Sequence, residues 1–434
     1  MKIILFSPQC PPRLHYIANF ISREICDSPC VITGIASEYS IAEGGIKINY
    51  SDNPITDNEI WIKPSSLLFE NNIQPQAIEC FLWGYLKVFF KTEGDIPFDI
   101  FAASFYLLSR YEEYLPHPLD VYSRFAHTSS LAFKENFLHQ PLINLWIEKL
   151  LVLMKQKFSA LQFPDKNFQF VPTYDIDIAY AYRHKSFIYT AGGFLKNIAN
   201  PAILRERTNV LLGRNKDPFD VYDWLHAVHS KYHLHPIYFF LAANKRGRYD
   251  KNIAPDKKAM QQLIHQHKNK YSIGIHPSWQ SGDSSTILQN EIATLAKITG
   301  TRVQQSRQHY IRMQMPHTYR KLIKQGIQHD YSMGYGSING FRASVATSFY
   351  WYDLLKEKQT TLCIHSFCFM DTNAIFGQNY STIKAAEELQ QYHDIVKLMK
   401  GSFITIFHNH FLTEQAQWLP WRKMYADFLN KNFN

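Results

Sequence analysis

The sequence predicts an α/β protein in which a (β/α) barrel follows a smaller α+β domain. Two observations predict it. The 434 residues suffice for two or three domains at roughly 150 residues each. From about residue 168 onward, apolar runs of strand length alternate with helical stretches, and seven or eight such units over the remaining part of the chain match the size of a (β/α) barrel.

The smaller domain is predicted to precede the barrel, with the division at residues 1–162 and 163–434. Its apolar runs predict strands at residues 2–6, 31–35, 46–50 and 60–63. Its helices are predicted at residues 13–26, 98–115 and 141–158, the last with proline in its first turn. No catalytic motif lies in this part of the chain, so its role is left open.

The barrel strands are predicted from short apolar runs between helix start and stop signals. They are residues 168–175, 236–241, 272–276, 302–306, 326–331, 340–343, 361–367 and 403–408. Glycines at 300, 326 and 401 end three of the intervening helices. Residues 183–216, with seven basic residues against one acidic residue, are predicted to form an insertion over one mouth of the barrel.

Composition and charge exclude several classes of protein. A 46% hydrophobic and 19% charged composition is globular, and six cysteines without a CxxC pair indicate reduced thiols rather than a disulfide scaffold or zinc finger. The net charge of +9 is spread along the chain, and no nucleic-acid-binding signature accompanies it, so no specific nucleic acid is expected as a partner. No run reaches the length of a membrane span or a signal peptide, which predicts a cytoplasmic protein without a transmembrane segment. The sequence predicts no oligomeric state.

Side chains suited to catalysis follow the predicted strands, where the loops of a parallel barrel converge. Asp175 and Asp177 are two residues apart and share one face of the first barrel strand. Two carboxylates side by side in a poorly solvated mouth require a metal ion or an arginine against them. The alternative is that one caps a helix and the other is solvated.

Histidines at two further strand ends suggest a metal site. His276 ends one predicted strand, and His309 follows another within Ser306-Arg307-Gln308-His309-Tyr310. A carboxylate and two imidazoles from separate strands suit Zn²⁺, with one position left for water. Asp177, His276 and His309 are therefore the predicted ligands, although either histidine alone is as consistent with an ordinary strand end.

An arginine and a histidine complete the predicted chemistry. Arg342 is predicted to pair with Asp175 and orient it, a surface ion pair being the equal alternative. His408 ends the last apolar strand, and Asp371 follows the strand before it. An aspartate beside a histidine raises its pKa and fixes its ring, so His408 is predicted to be a general acid.

Together these motifs resemble the NodB-like polysaccharide deacetylases, the family 4 carbohydrate esterases, and within them a two-domain bacterial subgroup with an uncharacterised N-terminal domain. The resemblance covers nearly the whole chain. It rests on residues 97–101, 108–114, 172–177, 274–278, 307–310, 340–343, 370–371 and 408–409. The order of the C-terminal motifs is its specific part.

The resemblance implies a distorted (β/α)7 barrel that removes N- or O-acetyl groups with the help of a metal. By position, it implies that Asp175 is the catalytic base and His408 the acid. It likewise implies that Asp177 and His276 are metal ligands, and that Arg342 tethers the base. The family's second motif has another ligand histidine four residues after the first, where this chain has Gln280. His309 is the substitute that we infer from its chemistry.

The predicted function is metal-dependent deacetylation of an amino sugar or polysaccharide, with an acetylated glycan as the partner. Two alternatives stay open. Gln280 allows a degenerate domain that binds a glycan without turnover. The chain can also be a scaffold component of cell-surface polysaccharide assembly that uses its positive charge to meet anionic lipid-linked intermediates.

Overall fold

The computed structural model describes residues 1–434 and has the predicted fold class: a mixed α/β chain in which a curled nine-stranded sheet follows a smaller N-terminal region. The N-terminal region contains a four-stranded parallel sheet with the order β2-β1-β3-β4, and a separate hairpin of β5 and β6. Its strands and helices are β1 Ile3–Phe6, α1 Pro12–Cys26, β2 Val31–Thr33, α2 Ala36–Ile41, β3 Ile46–Asn49, β4 Ile60–Trp61, β5 Phe81–Trp83, β6 Leu86–Val88, α3 Ile100–Leu108, α4 Leu131–Lys134 and α5 Leu142–Lys157.

The helix predicted at residues 98–115 is shorter in the structure. Asp99 caps α3 by accepting a hydrogen bond from the backbone N–H of Ala102. The helix ends at Leu108 because Arg110 adopts a left-handed conformation (φ 57°), after which Tyr111–Tyr114 form a separate 3-10 turn. This interruption turns the Arg110 side chain toward the C-terminal region.

The remaining elements form the large sheet and the helices around it. They are β7 Gln169–Ile176, α6 Phe187–Lys196, α7 Pro201–Leu211, α8 Tyr222–Lys231, β8 Ile237–Leu241, α9 Lys258–Lys268, β9 Ser272–His276, α10 Ser285–Thr299, β10 Gln305–Ser306, α11 His317–Lys324, β11 His329–Met333, β12 Phe349–Asp353, β13 Lys358–Ser366, β14 Phe369–Met370, α12 Thr382–Leu398, β15 Ser402–His408 and α13 Leu419–Phe433. None of the helices combines the length and apolar character that a membrane span needs.

The strands of this sheet follow the order β12-β13-β11-β10-β9-β8-β7-β15-β14. All neighbours are parallel except β12 and β13, and the edge strands β12 and β14 do not pair with each other. The sheet curls around an apolar interior without closing by hydrogen bonds. That interior is formed by alternate residues of the strands and the loops that follow them: Val171, Ile237, Phe239, Ile311, Tyr331, Phe367, Met370, Ile404 and Ile406.

One predicted strand is wrong. Residues 340–343 form a turn, since Gly340 has a φ of 138° and a Cβ there would lie 2.8 Å from the carbonyl oxygen of Leu138. The N–H of Phe341 donates to that same carbonyl. The turn packs against the N-terminal region instead of joining the sheet, while β12 and the short β14, which were not predicted, supply sheet edges.

Candidate metal and acid–base site

The carboxyl ends of the parallel strands bring the three predicted metal ligands together. Asp177 lies just beyond β7, His276 is the last residue of β9, and His309 lies in the turn after β10. One ligand atom from each lies within 4.8 Å of the other two. The side chain of Asp177 is 18% exposed, whereas both imidazoles are almost completely buried.

Each imidazole is oriented by a hydrogen bond to its rear nitrogen. Nδ1 of His276 lies 2.6 Å from the carbonyl oxygen of Arg307, and Nδ1 of His309 lies 3.0 Å from Oδ1 of Asp250. The Nε2 atoms consequently face Asp177, at 3.1 Å and 3.5 Å from its carboxylate oxygens. Asp250 was not predicted, because it lies in the loop between β8 and α9 without any strand-end signal.

The residues fit a divalent metal ion. Oδ1 of Asp177 is buried, and Nε2 of His276, 3.1 Å away, is not aligned for a hydrogen bond to it. This oxygen therefore lacks the partner that a buried polar atom normally has. One carboxylate and two imidazoles, each held by a partner behind it, are a donor set suited to Zn²⁺. Gln280 opens a separate 3-10 turn, Gln280–Gly282, and does not line the pocket that contains this group.

Asp175 is paired with an arginine other than the one predicted. Asp175 is buried on β7, and its Oδ1 accepts a hydrogen bond from Nη1 of Arg307 at 2.9 Å. The same Nη1 donates to Oγ1 of Thr173 at 2.6 Å, while Nε donates to the carbonyl of Tyr331 at 2.9 Å. The guanidinium also lies 4.4 Å from the centre of the Phe239 ring. Arg307 is therefore held rigidly inside the curled sheet.

The predicted pairing of Arg342 with Asp175 is wrong. Arg342 is fully buried, but its Nε and Nη2 donate to the carboxylate of Glu113 at 2.9 Å and 2.6 Å, and Nη1 donates to the carbonyl of Gly334. Glu113 also accepts from Nε of Arg110 at 2.8 Å. The turn at residues 340–343 thus presents Arg342 to the N-terminal region, away from Asp175.

The structure does bring Asp371 to His408. Asp371 follows β14 and His408 ends β15, and these strands are neighbours. Oδ1 of Asp371 lies 2.6 Å from Nδ1 of His408, and Oδ2 accepts the backbone N–H of His408 at 2.7 Å. Nε2 of His408 lies 3.5 Å from Oδ2 of Asp177. This nitrogen therefore faces the pocket beside the predicted ligands.

Burial and neighbouring charges act in opposite directions on the pKa values of the histidines and the aspartate in this pocket. Burial would lower the pKa of His408, but the carboxylates of Asp371, Asp177 and Asp175 outweigh burial and raise this pKa to about 10. Burial would likewise lower the pKa of His309, yet Asp177 and Asp250 raise it to about 9. Burial would raise the pKa of Asp177, but His309 and His276 hold it well below its usual value. Without a metal ion, the raised pKa of His309 favours a protonated imidazole beside Asp177.

A pocket of about 420 Å³ opens above these residues. Its walls carry aromatic rings: Tyr122, Tyr310, Phe376 and Phe411. Tyr122 and Arg124 come from the N-terminal region, and Nη1 of Arg124 donates to the carbonyl of Tyr310 at 2.6 Å. Tyr310 and Ile311 both have a positive φ, 59° and 53°. The N-terminal region therefore holds the unusual turn that follows His309 and forms one wall of the pocket.

Comparisons with known proteins find one family model that matches the N-terminal region, and solved structures that are distantly similar to the chain. A family of unknown function (DUF7033) matches residues 3–159. No curated protein matches the chain.

Solved structures described as polysaccharide deacetylases are similar to it. One from Mycobacterium smegmatis has 13% identity and a TM-score of 0.39, with 63% of this chain and 87% of that chain covered. One from Pseudomonas aeruginosa PAO1 has 11% identity and a TM-score of 0.39, with 61% and 85% covered. One from Bacillus cereus has 11% identity and a TM-score of 0.29, with 62% and 88% covered. Scores at this level assign neither a function nor a family to the whole chain.

Proposed function

We propose that the protein is a metal-dependent deacetylase that hydrolyses an acetyl amide or ester on a sugar. The observation that carries the proposal is the convergence in one pocket of three groups. These are the cluster of Asp177, His276 and His309, the Asp175–Arg307 pair, and the His408–Asp371 pair. Hydrolysis of an acyl group needs a base for water and an acid for the leaving group, and two differently supported groups on one pocket supply both.

Asp177, His276 and His309 would hold the metal ion, which we propose to be zinc. Bound there, Zn²⁺ supplies polarisation of the acyl carbonyl and of a water molecule. Asp175 accepts the proton of the attacking water, with Arg307 fixing the direction of its carboxylate. Nε2 of His408 donates a proton to the departing amine or hydroxyl, with Asp371 holding the ring at Nδ1. The two proton carriers lie on the neighbouring strands β7 and β15, where Asp175 and His408 are cross-strand partners.

The aromatic walls favour a sugar as the substrate, because flat apolar faces stack on pyranose rings. We expect Tyr122→Ala to raise KM about three- to tenfold with a smaller effect on kcat, since the ring lies on the wall and not beside the proton carriers; a stacking contact contributes about 0.5–1.5 kcal/mol. Tyr85→Ala, which removes an exposed tyrosine elsewhere on the N-terminal region, is the control. Equal effects of both substitutions would contradict a stacking wall.

The direct test is acetate release by the zinc-loaded protein from acetylated amino-sugar oligomers, chitin and acetylated xylan. Asp177→Asn should lose bound metal and activity together, because it removes a ligand. Asp330→Asn is the control, since Asp330 is a buried aspartate on β11 whose hydrogen bonds go to Ser306 and Ser332 and not to the metal cluster. Stoichiometric metal without acetate release from any substrate would point to the glycan-binding alternative. The cytoplasmic location stays a prediction of the sequence, and cell fractionation tests it.

A further inference from the structure

A second group of metal-binding side chains lies at the opposite end of the curled sheet. His329 begins β11, and it is the cross-strand partner of Cys363 on the parallel strand β13. His365 lies two residues after Cys363 and therefore on the same face of β13. That face is the inner one, because Tyr331, which follows His329 by two residues, belongs to the apolar interior. All three side chains are half-buried, so solvent reaches them.

The geometry of this group suits one metal ion. Nδ1 of His329 lies 3.0 Å from Nε2 of His365, and with Sγ of Cys363 the three ligand atoms lie within 4.8 Å of one another. Zinc bonds of about 2.0–2.3 Å in a tetrahedral site place their donor atoms roughly 3.3–3.8 Å apart, so only small adjustments are needed.

The surroundings of His365 leave Nε2 available. Its Nδ1 lies 2.8 Å from Oγ of Ser348, and its ring stacks on Tyr331 with centres 4.3 Å apart and planes 9° apart. A partner behind a ligating imidazole is the usual second layer of a metal site.

We propose that His329, Cys363 and His365 form a second metal site, separate from the pocket, which takes a borderline or soft ion of the zinc and copper(I) class. A thiolate with two imidazoles selects such ions, and three protein ligands leave one position open to solvent. Ion binding displaces the thiol proton of Cys363 and replaces the contact between the two imidazoles. The site joins the amino end of β11 to the residues of β13 that pair with it.

Titration of the metal-free protein with Co²⁺ tests this site independently of the deacetylase proposal. Wild type should bind two equivalents, one of which produces a thiolate-to-cobalt charge-transfer band. Cys363→Ser and His365→Gln should each lose that band and one equivalent, while Asp177→Asn keeps the band. Cys10→Ser, which alters another half-buried free thiol, should change nothing. The absence of a band in wild type, or its persistence in Cys363→Ser, overturns the proposal whatever the outcome of the activity assay.

A different surface carries a second inference. Helix α6 (Phe187–Lys196) has no buried residue, although most of it is apolar. Its neighbourhood exposes several large apolar side chains: Phe187 at 85%, Ile188 at 80%, Leu195 at 71% and Ile198 at 73%. Seven of the eight charged residues between 183 and 216 are basic, and five of the seven are exposed: Arg183, Lys196, Arg205, Arg214 and Lys216. Exposed apolar residues among cations are the composition of a helix that lies in the interface of an anionic membrane.

We infer that α6 docks this protein on an anionic lipid bilayer. Co-sedimentation with vesicles containing phosphatidylglycerol should retain the full chain, and vesicles of phosphatidylcholine alone should retain much less. Phe187→Ser with Ile188→Ser should reduce binding at least about tenfold, since each apolar side chain contributes roughly 1.5–3 kcal/mol when buried. Ile383→Ser with Leu398→Ser, at similarly exposed positions on α12, is the control. Equal binding to both vesicle types, or no binding at all, overturns the inference. It is likewise overturned if the Phe187→Ser and Ile188→Ser substitutions abolish self-association of the protein and leave vesicle binding unchanged.

Discussion

Two buried arginine–carboxylate pairs in this protein look alike but have different surroundings. Arg307 and Asp175 lie inside the curled sheet, and one oxygen of that carboxylate is 3.8 Å from Nε2 of His276. Arg342 and Glu113 lie between the two regions of the chain, and a second arginine, Arg110, occupies the remaining side of Glu113. The first carboxylate has a face toward the pocket, whereas the second is enclosed by cations. A buried ion pair therefore indicates chemistry only where one partner keeps an open direction.

The largest effect is expected at the enclosed pair. Glu113→Gln leaves Arg110 and Arg342 buried without their shared carboxylate, which should lower the free energy of unfolding by about 3–5 kcal/mol. Urea denaturation measures it, and Glu387→Gln, which alters an exposed pair with Lys384, should change it by less than about 1 kcal/mol. Folded Glu113→Gln should keep its acetate release, so a complete loss of activity in folded protein would break the comparison.

Asp175→Asn should reduce activity and leave the metal in place, whereas Glu113→Gln should reduce stability and leave activity in place. Acetate release should fall by at least ~10², the lower range for a general base, because the amide cannot accept the proton of water. Metal content measured by atomic emission should stay at the wild-type level, since Asp177 and both histidines remain. Loss of the metal in this variant would show that Asp175 is a ligand and not the base.

Arginine-to-lysine substitutions sharpen the comparison between the two pairs. Arg307→Lys keeps the charge but cannot bond to Asp175, Thr173 and Tyr331 together, and the misplaced base should cost about ten- to a hundredfold in kcat. Arg342→Lys should leave kcat unchanged and lower stability. Steady-state kinetics and thermal melting of both variants measure these effects. Equal losses of kcat in the two variants would mean that Arg342 also orients the site.

The smallest effect concerns pH. Burial would raise the pKa of Glu113, but Arg342 and Arg110 outweigh it and lower it from the ordinary 4.5 to about 2. Because the folded-state pKa is depressed, the stabilisation by Glu113 is complete above about pH 4.5 and is lost as the pH falls toward 2. The difference in unfolding free energy between wild type and Glu113→Gln should narrow over that window. A constant difference would mean that packing, not charge, stabilises the pair.

The sequence predicted the strand ends well, because apolar runs mark parallel strands and their carboxyl ends share one edge. Asp175, Asp177, His276 and His408 all lie where those runs stop. His309 was found by its chemistry, although it lies in a turn after β10 and not in the strand. The Asp371–His408 contact is present, but the strand that places Asp371 beside His408 is the short β14, which was not predicted.

The arginine was misassigned for a physical reason. Arg307 lies two residues before His309 in a run that was interpreted only for its histidine, and its burial depends on Phe239 and Tyr331 from other strands. The turn at Gly340 depends on Leu138, some two hundred positions earlier in the sequence. Asp250 and the His329–Cys363 pairing likewise arise only from contacts between distant segments, which spacing along the chain does not encode.

The hydrogen bond from Arg124 to the carbonyl of Tyr310 has a consequence for the order in which the protein is made. Residues near 124 leave the ribosome well before residues 309–311, and domains generally fold as they emerge. The turn after His309 holds two residues in left-handed conformations, each of which costs about 1–3 kcal/mol without outside support. We expect that support to have formed by the time the turn is synthesised. In a rearranged chain, residues 1–162 would be translated after the large sheet. We therefore expect that chain to bring its metal ligands into their final arrangement more slowly than the natural chain does.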